Sequence, residues 1–278
     1  MTETKPITLK AHAKVNLGLN ITGKRTDGFH ELDTLFVRLE LHDTIELEPR
    51  PEGIVLEIEG ADLPTDSNNL AYKAAAVYLE AAGQGEGVHI RLTKNIPIAA
   101  GLGGGSSDAA AVLRSLAQLY PAEIDLMSLA LALGSDVPFF VLDEVAARGR
   151  GRGERLEPVN IPPLHFVLIN PGIHVSASAA YGNLKSFGES LELKPLIESL
   201  TTATPLYTNS LQAGVLALEP EIGKVLSVLE ATPLRGVTMS GSGSTCFGLA
   251  EDDMEALEIA KDLRDRCPEW WVCSSAAV

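Results

Sequence analysis

Pro97-Ile98-Ala99-Ala100-Gly101-Leu102-Gly103-Gly104-Gly105-Ser106-Ser107-Asp108 is the stretch from which the rest of the chain is read. Pro97, Gly101, Gly103, Gly104 and Gly105 are residues with unusual backbone behaviour. Adjacent glycines lack the Cβ that blocks φ > 0, so their N–H groups can converge on one ligand. After the loop, Ala109, Val112, Leu113, Leu116 and Tyr120 recur at helical spacing, and Pro121 ends the run. Before it, Val88, Ile90 and Leu92 alternate with His89, Arg91 and Thr93, the pattern of a half-buried strand. Strand, glycine-rich turn and helix N-terminus bring unpaired amides and the positive end of a helix dipole to one point, which suits a phosphate. A flexible surface turn is the plainer alternative, and the strongly patterned helix argues against it.

Two familiar phosphate loops do not fit. A Walker loop needs lysine and then Ser/Thr after its last glycine, whereas Gly105 is followed by Ser106 and Ser107. The dinucleotide fingerprint needs a glycine where this chain, counted from Gly101, has Ser106. The loop is therefore an anion site of another kind.

Composition narrows the partners. With 278 residues, 45% hydrophobic and 21% charged, the chain can form two ordinary domains with real cores. Its formal charge of −15 opposes polyanions, so no nucleic acid and no anionic membrane are expected as partners. Cys246, Cys267 and Cys273 show no CxxC spacing, which suggests neither a disulfide framework nor a zinc site. Glu3 and Thr4 stand where a leader peptide would be basic and then apolar, and the apolar run Leu129–Leu133 is far too short for a membrane span. A cytoplasmic protein, monomeric or a weak homodimer, is expected.

Ile7 to Ile21 alternates as a long strand, which puts Lys14 and Asn16 on its polar side roughly 7 Å apart. Thr26-Asp27-Gly28-Phe29-His30 is a turn carrying an aromatic and a histidine. Leu35–Leu41 and Thr44–Glu48 predict two further short strands. Asp66-Ser67-Asn68-Asn69 caps a helix with Leu70, Ala74, Val77, Tyr78 and Ala81 on one stripe, closed by Gly83. Leu126–Leu133 is an apolar helix stopped by Gly134, and Asp136 follows between two apolar segments. On the residues alone, Asp136 is either an N-cap for a helix begun by Pro138 or a working carboxylate. Arg148–Arg155, RGRGRGER, reads as a solvated connector or as a basic loop beside the anion site.

The remainder is read as a second domain. Phe166–Asn170, Val237–Met239, Cys246–Leu249 and Trp270–Cys273 are strand-like; Leu211–Leu218, Ile222–Leu229 and Met254–Arg266 are helical. This order fits a split βαβ, ferredoxin-like domain. Ser240-Gly241-Ser242-Gly243-Ser244 is a second glycine/serine turn, which could close over the ligand of the first. Pro158, Pro162 and Pro163 set the expected boundary, giving domains 1–160 and 161–278.

Ala13–Leu32, Ser67–Ala74, Lys94–Ala110, Leu133–Phe140 and Met239–Gly248 together resemble the motifs of the GHMP kinase superfamily over almost the whole chain. GLGGGSSD and DGFH resemble most closely the branch that phosphorylates a cytidine-diphosphate-linked methylerythritol. The resemblance implies an α+β, two-domain GHMP kinase fold with a ribosomal-protein-S5-domain-2-like N-terminal domain and a ferredoxin-like C-terminal domain. It implies ATP as phosphoryl donor, Mg²⁺, and transfer to the substrate's 2-hydroxyl in the non-mevalonate route to isoprenoid precursors. Lys14 and Asp136 match the catalytic positions. Pro97, Ile98, Ala99, Ala100, Gly101, Leu102, Gly103, Gly104, Gly105, Ser106 and Ser107 match the ATP phosphate loop, with Asn69 and Lys94 near adenine. Asn16, Phe29, His30, Tyr181, Ser240 and Gly241 match the substrate side, Phe29 and Tyr181 as stacking aromatics. Ser107 is the candidate metal ligand. Asp108 is expected to point outward, because an acid beside bound phosphates would repel them.

The chain departs from the branch in two places. Phe29 stands where many relatives have tyrosine, and Asn209-Ser210-Leu211 where Asn-Asp-Leu is frequent. The rival readings are a kinase for homoserine, mevalonate or phosphomevalonate, against which GLGGGSSD and Phe29-His30 argue, and a non-catalytic nucleotide-binding protein, which loss of Lys14 or Asp136 would have favoured.

Overall fold

The computed structural model describes residues 6–83 and 85–278, so Glu3 and Thr4 of the leader-peptide reading lie outside the described residues. The chain forms two compact units, each drawn from separate stretches of sequence. One holds the chain up to Ala13 with Leu41–Ile98 and Gly103–Glu144; the other holds Lys14–Glu40, Ala99–Leu102 and Val145–Val278.

In the first unit, strand β1 (Ile7–Lys24) begins and the later half of β2 (His30–Arg50) runs. The two strands expected over 35–41 and 44–48 are thus one strand. Asp43 interrupts the apolar pattern there without breaking the chain's course, because its buried carboxylate accepts the Asn95 and Ile96 N–H groups at 2.5 and 2.8 Å. A buried charge so paired costs far less than an unpaired one. β3 (Ile54–Glu59) runs parallel to β4 (Gly87–Thr93), which pairs antiparallel with Thr44–Arg50 of β2.

Helix α1 (Leu70–Ala82) starts where the Asn69 side chain accepts the Ala71 N–H, and ends at Gly83, whose φ of 62° is one that glycine adopts without strain. Its buried face is Ala71, Ala74, Ala75, Tyr78 and Leu79, while Ala81 is exposed. The expected stripe is thus rotated by about one position, an error that alanines invite because they are tolerated on either face. α2 (Gly104–Leu119) packs on α1 and buries Val112, Leu113 and Leu116. Tyr78, fully buried between them, donates its hydroxyl to the Tyr120 carbonyl at 2.8 Å. α3 (Leu126–Leu133) is capped by the Asp125 carboxylate. α4 (Val137–Leu142) buries Val137, Phe139 and Phe140 against α2, each such side chain contributing about 1.5–3 kcal/mol.

In the second unit, Leu32–Val37 of β2 pairs antiparallel with β5 (Ala146–Gly151), which pairs with β6 (Arg155–Pro158). The basic run read as a connector is this hairpin. Strand β7 (His165–Asn170) leads through short helices α5 (Ala177–Gly182), α6 (Leu193–Ser199) and α7 (Gln212–Leu218) to α8 (Glu221–Glu230). β8 (Arg235–Met239), β9 (Cys246–Ala250), α9 (Asp253–Arg266) and β10 (Trp271–Ala276) complete it. The antiparallel sheet has the order β10-β7-β9-β8, the ferredoxin-like pattern that the element order predicts. Val167, Ile169, Val225, Leu229, Ile259, Leu263 and Val272 belong to one core cluster of the sheet and its helices. No described helix is long and apolar enough to cross a membrane.

Candidate active site

The glycine-rich loop has a strained, left-handed course. Ala99, Gly101 and Gly103 have φ of 52°, 75° and 73°. A left-handed alanine costs on the order of 1–3 kcal/mol, a strain typical of functional loops. A Cβ on Gly101 would lie 2.2 Å from the Ser240 carbonyl oxygen, so only glycine fits. Gly103 occupies the N-cap position of α2, and no side chain caps the helix, whose first-turn amides are left for another acceptor. Gly105 is exposed, and a Cβ there would meet Leu70 at an ordinary 3.7 Å. Packing within the protein therefore does not demand glycine at 105. Of the flanking residues, Ile98 is exposed, Pro97 and Ser106 are partly buried, and Ala100, Leu102 and Ser107 are buried.

Around the loop's first half the second unit gathers five of the expected residues, Lys14, Asn16, Gly101, Ser240 and Gly241. Lys14 and Asn16 are both buried on β1. The Lys14 ammonium donates to Asn16 Oδ1 at 2.8 Å and to the Gly101 carbonyl at 3.1 Å. Asn16 Nδ2 donates to Thr34 Oγ1 at 2.8 Å, and Thr34 in turn donates to the Gly18 carbonyl at 2.7 Å. The chain of donors fixes the Asn16 amide with its oxygen toward Lys14. Ser240 Oγ donates to the Gly101 carbonyl at 3.0 Å, and the Thr245 N–H donates to Ala100 O at 3.1 Å. A Cβ on Gly241 (φ 56°) would sit 3.3 Å from both Lys14 Nζ and Asn16 Oδ1.

Thr34 and Asn209 belong to this cluster and were not foreseen in it. Asn209 Nδ2 donates to the Met239 and Gly241 carbonyls, both at 2.8 Å, while its Oδ1 takes the Leu211 N–H. Its sequence signals are the polar pair ahead of an apolar helix and the asparagine it shares with the branch's frequent Asn-Asp-Leu. At the neighbouring departure, Ser210 Oγ accepts the Ile21 N–H at 3.3 Å.

The turn at Gly28 (φ 87°) presents Phe29, which is 49% exposed. Asp27 holds the turn by accepting the Phe29 N–H, and a hydrogen bond from Arg25 keeps the Asp27 carboxyl below its ordinary pKa. The Arg152 guanidinium lies over the Phe29 ring, 4.2 Å from its centroid. Tyr181 stacks on His30, with centroids 5.2 Å apart and planes 25° apart. Tyr181 thus meets the histidine, and Phe29 meets an arginine of the basic hairpin. The other arginines of that hairpin pair with carboxylates: Arg148 with Asp33, Arg150 with Glu157 and Arg155 with Glu31.

Asp136, Asn69, Lys94 and Ser107 belong to the first unit. Asp136 occupies the N-cap position of α4, yet its side chain makes no capping hydrogen bond. Gly134, two residues earlier, backs onto α2's first turn, where a Cβ would come 4.0 Å from Ser106 Oγ. Asn69 spends its side chain on Ala71 N–H and on Pro64 O, both at 2.9 Å. The Lys94 ammonium is buried between Asp43 and Asp108, 2.7 Å from Asp108 Oδ2. Asp108 therefore points inward, not outward as expected. Lys94 supplies the counter-charge that the outward expectation left out. Burial still pushes the Asp108 carboxyl up to about 7, Lys94 opposing the shift and Asp43 adding to it.

Comparison with known proteins identifies the family. The GHMP kinases N terminal domain matches residues 69–144, and the GHMP kinases C terminal domain matches residues 179–269. A Deinococcus radiodurans 4-diphosphocytidyl-2-C-methyl-D-erythritol kinase is 50% identical over 275 residues, covering 95% of this chain and 91% of that one. The chain belongs to the GHMP kinase family. Its fold is the mixed α/β, two-domain GHMP kinase fold. The kinase of the same description from Thermus thermophilus is 49% identical, covering 91% of each chain. A crystal structure of 4-(cytidine 5'-diphospho)-2C-methyl-D-erythritol kinase superposes with a TM-score of 0.88 at 45% identity, covering 98% of this GHMP kinase and all of that chain. A Cytophaga hutchinsonii homoserine kinase shares the fold alone, with a TM-score of 0.71 at 18% identity.

Proposed function

We propose that this GHMP kinase transfers the terminal phosphoryl group of ATP to the 2-hydroxyl of 4-diphosphocytidyl-2-C-methyl-D-erythritol, a step toward isoprenoid precursors by the non-mevalonate route. The relatives at 45–50% identity support the substrate. The observation that carries the donor is the N-terminus of α2, with a left-handed glycine at its cap and no side chain on its first-turn amides. Gly101, Gly103, Gly104 and Gly105 let the backbone approach the phosphates, and the helix dipole favours their charge. The surrounding residues 97–107 form the rest of that cradle, with Asn69 and Lys94 on the nucleotide's side.

In the reaction the acceptor oxygen bonds to the γ-phosphorus, the bond to the β-bridging oxygen breaks, and ADP leaves. Such transfer needs positioning and charge stabilisation more than covalent help. Asp136 is assigned to orient the hydroxyl and receive its proton. Lys14, held by Asn16 and Gly101, is assigned to stabilise the attacking oxygen. Phe29, His30 and Tyr181 take the cytosine, the rings by stacking and the imidazole by a hydrogen bond to its edge. Ser240 and Gly241 complete the acceptor side. Mg²⁺ is expected with ATP to offset phosphate charge, with Ser107 as a ligand. Bound there, the ion would supply charge neutralisation to the phosphates, and Ser107 is the residue that would hold it; among the described residues no group of three acidic, cysteine or imidazole side chains is placed to hold a metal ion. A monomer or weak homodimer in the cytoplasm suffices for this activity.

The test is ADP release from Mg-ATP in the presence of the cytidine-linked acceptor, homoserine or mevalonate in turn. Turnover with the first alone is expected; turnover only with homoserine or mevalonate would overturn the assignment.

A further inference from the structure

We infer that Lys94 is a positioning residue for the phosphate donor: with Asp43 and Asp108 it clamps the two ends of the glycine-rich loop. The clamp has three links. Asp43 Oδ1 takes the N–H groups of Asn95 and Ile96 at 2.5 and 2.8 Å, which fixes the chain entering the loop. The other oxygen of Asp43 binds the Lys94 ammonium. Lys94 then donates to Asp108 Oδ2 at 2.7 Å, which fixes the first turn of α2 at the loop's exit. Between Ile96 and Asp108 lies the whole loop, and Lys94 Nζ is 3.4 Å from where a Cβ on Gly104 would stand.

All three side chains are buried, at 5% exposure or less. An ammonium enclosed by two carboxylates is poorly placed to contact a phosphate itself. Its effect reaches the nucleotide through the backbone. A loop of glycines loses much conformational freedom when it orders around a ligand, and a clamp that orders it beforehand removes that cost from binding. The preformed amides then meet the phosphates without reorganisation. Lys94 also offsets part of the charge of Asp108, which lessens the repulsion between this first-turn acid and the phosphates.

This proposal rests on ATP being the donor. It is tested by steady-state kinetics of Asp108→Asn, Lys94→Met and the double variant, with near-UV circular dichroism and thermal melts to confirm folding. Each single variant is expected to raise KM for ATP about tenfold or more, leaving acceptor KM and saturating kcat within about twofold. The double variant is expected to be no worse than Lys94→Met, because both changes break the same link. Folded variants with wild-type KM for ATP would overturn the proposal in favour of a purely structural network. An impaired Lys94→Met beside an unaffected Asp108→Asn would overturn it in favour of direct nucleotide contact. If Lys94→Met does not fold, Lys94→Arg, which keeps the charge but not the compact geometry, is compared with Asp108→Asn, and wild-type KM in both would again overturn it. Wild-type protein that consumes no ATP with any acceptor would remove the donor reading itself, a failure visible before any variant is made.

Discussion

The Lys14 ammonium donates to the Gly101 carbonyl at 3.1 Å, tying a side chain of the first strand to the middle of the glycine-rich loop. A hydrogen bond to Asn16 also holds the charge, which is buried. Lys14→Met is therefore expected to lower kcat by about 10²–10³, the usual cost of losing one donor from a charge-stabilising site. It should also destabilise the fold by about 1–3 kcal/mol, since Asn16 Oδ1 and Gly101 O each lose a partner. Rapid-quench measurement of the transfer step and a urea melt check the two effects separately.

Glycines 101 and 105 should respond oppositely to alanine. Gly101→Ala forces a Cβ to 2.2 Å from a carbonyl at a left-handed φ, and stability should fall by more than about 1 kcal/mol. Gly105→Ala meets no such obstacle and gains helix propensity, about 0.5–1 kcal/mol if the helix there is fully formed. Its KM for ATP should rise nonetheless. Thermal melts alongside ATP titrations distinguish a packing glycine from a ligand-facing one.

Arg152 lies over Phe29, the ring proposed to stack on the cytosine. A cation over an exposed ring contributes about 0.5–1 kcal/mol, so Arg152→Ala should raise KM for the cytidine-linked substrate roughly two- to fivefold. KM for ATP should not move. Arg152→Lys, which keeps the charge and loses the planar stack, should fall between.

Asp108 gives stability a pH dependence of definite sign. Its folded pKa of about 7 lies above the ordinary value of 3.8, so the folded protein holds this proton more tightly than the unfolded chain. The stability it contributes is present at low pH and is lost as pH rises from about 4 to about 7. Burial is the main cause, and Asp108 Oδ1 has no hydrogen-bond partner among the described residues. Asp108→Asn should flatten the unfolding free energy across that window, as measured by urea denaturation at a series of pH values. A slope unchanged from wild type would remove Asp108 as its source.

Much of this was legible in the sequence where local pattern decides structure. The alternation around Lys14 and Asn16, the glycines at 101–105 and the periodicity of 109–120 each produce the element they predict. The orientation of Asp108 was not legible. A first-turn acid can face water or protein, and Lys94 and Asp43, reached only through the fold, decide it. Asn209 and Thr34 are ordinary polar residues until the chain brings them to Gly241 and Asn16. α5 and α6 span six and seven residues, too short for a helical period to show. The arginines of 148–155 read as one basic run because Asp33 and Glu31, the partners of Arg148 and Arg155, come from β2.

The central claim, that Asp136 works on the hydroxyl of a cytidine-diphosphate-linked acceptor with ATP as donor, is tested most directly by one comparison. Wild type and Asp136→Ala are given Mg-ATP and 4-diphosphocytidyl-2-C-methyl-D-erythritol, ADP release is followed, and ATP binding is measured by calorimetry. The expected result is rapid turnover by the wild type, a rate lower by about 10²–10⁴ in the variant, and unchanged ATP affinity. An equal rate in the two proteins, or turnover by the wild type only with homoserine or mevalonate, would contradict it.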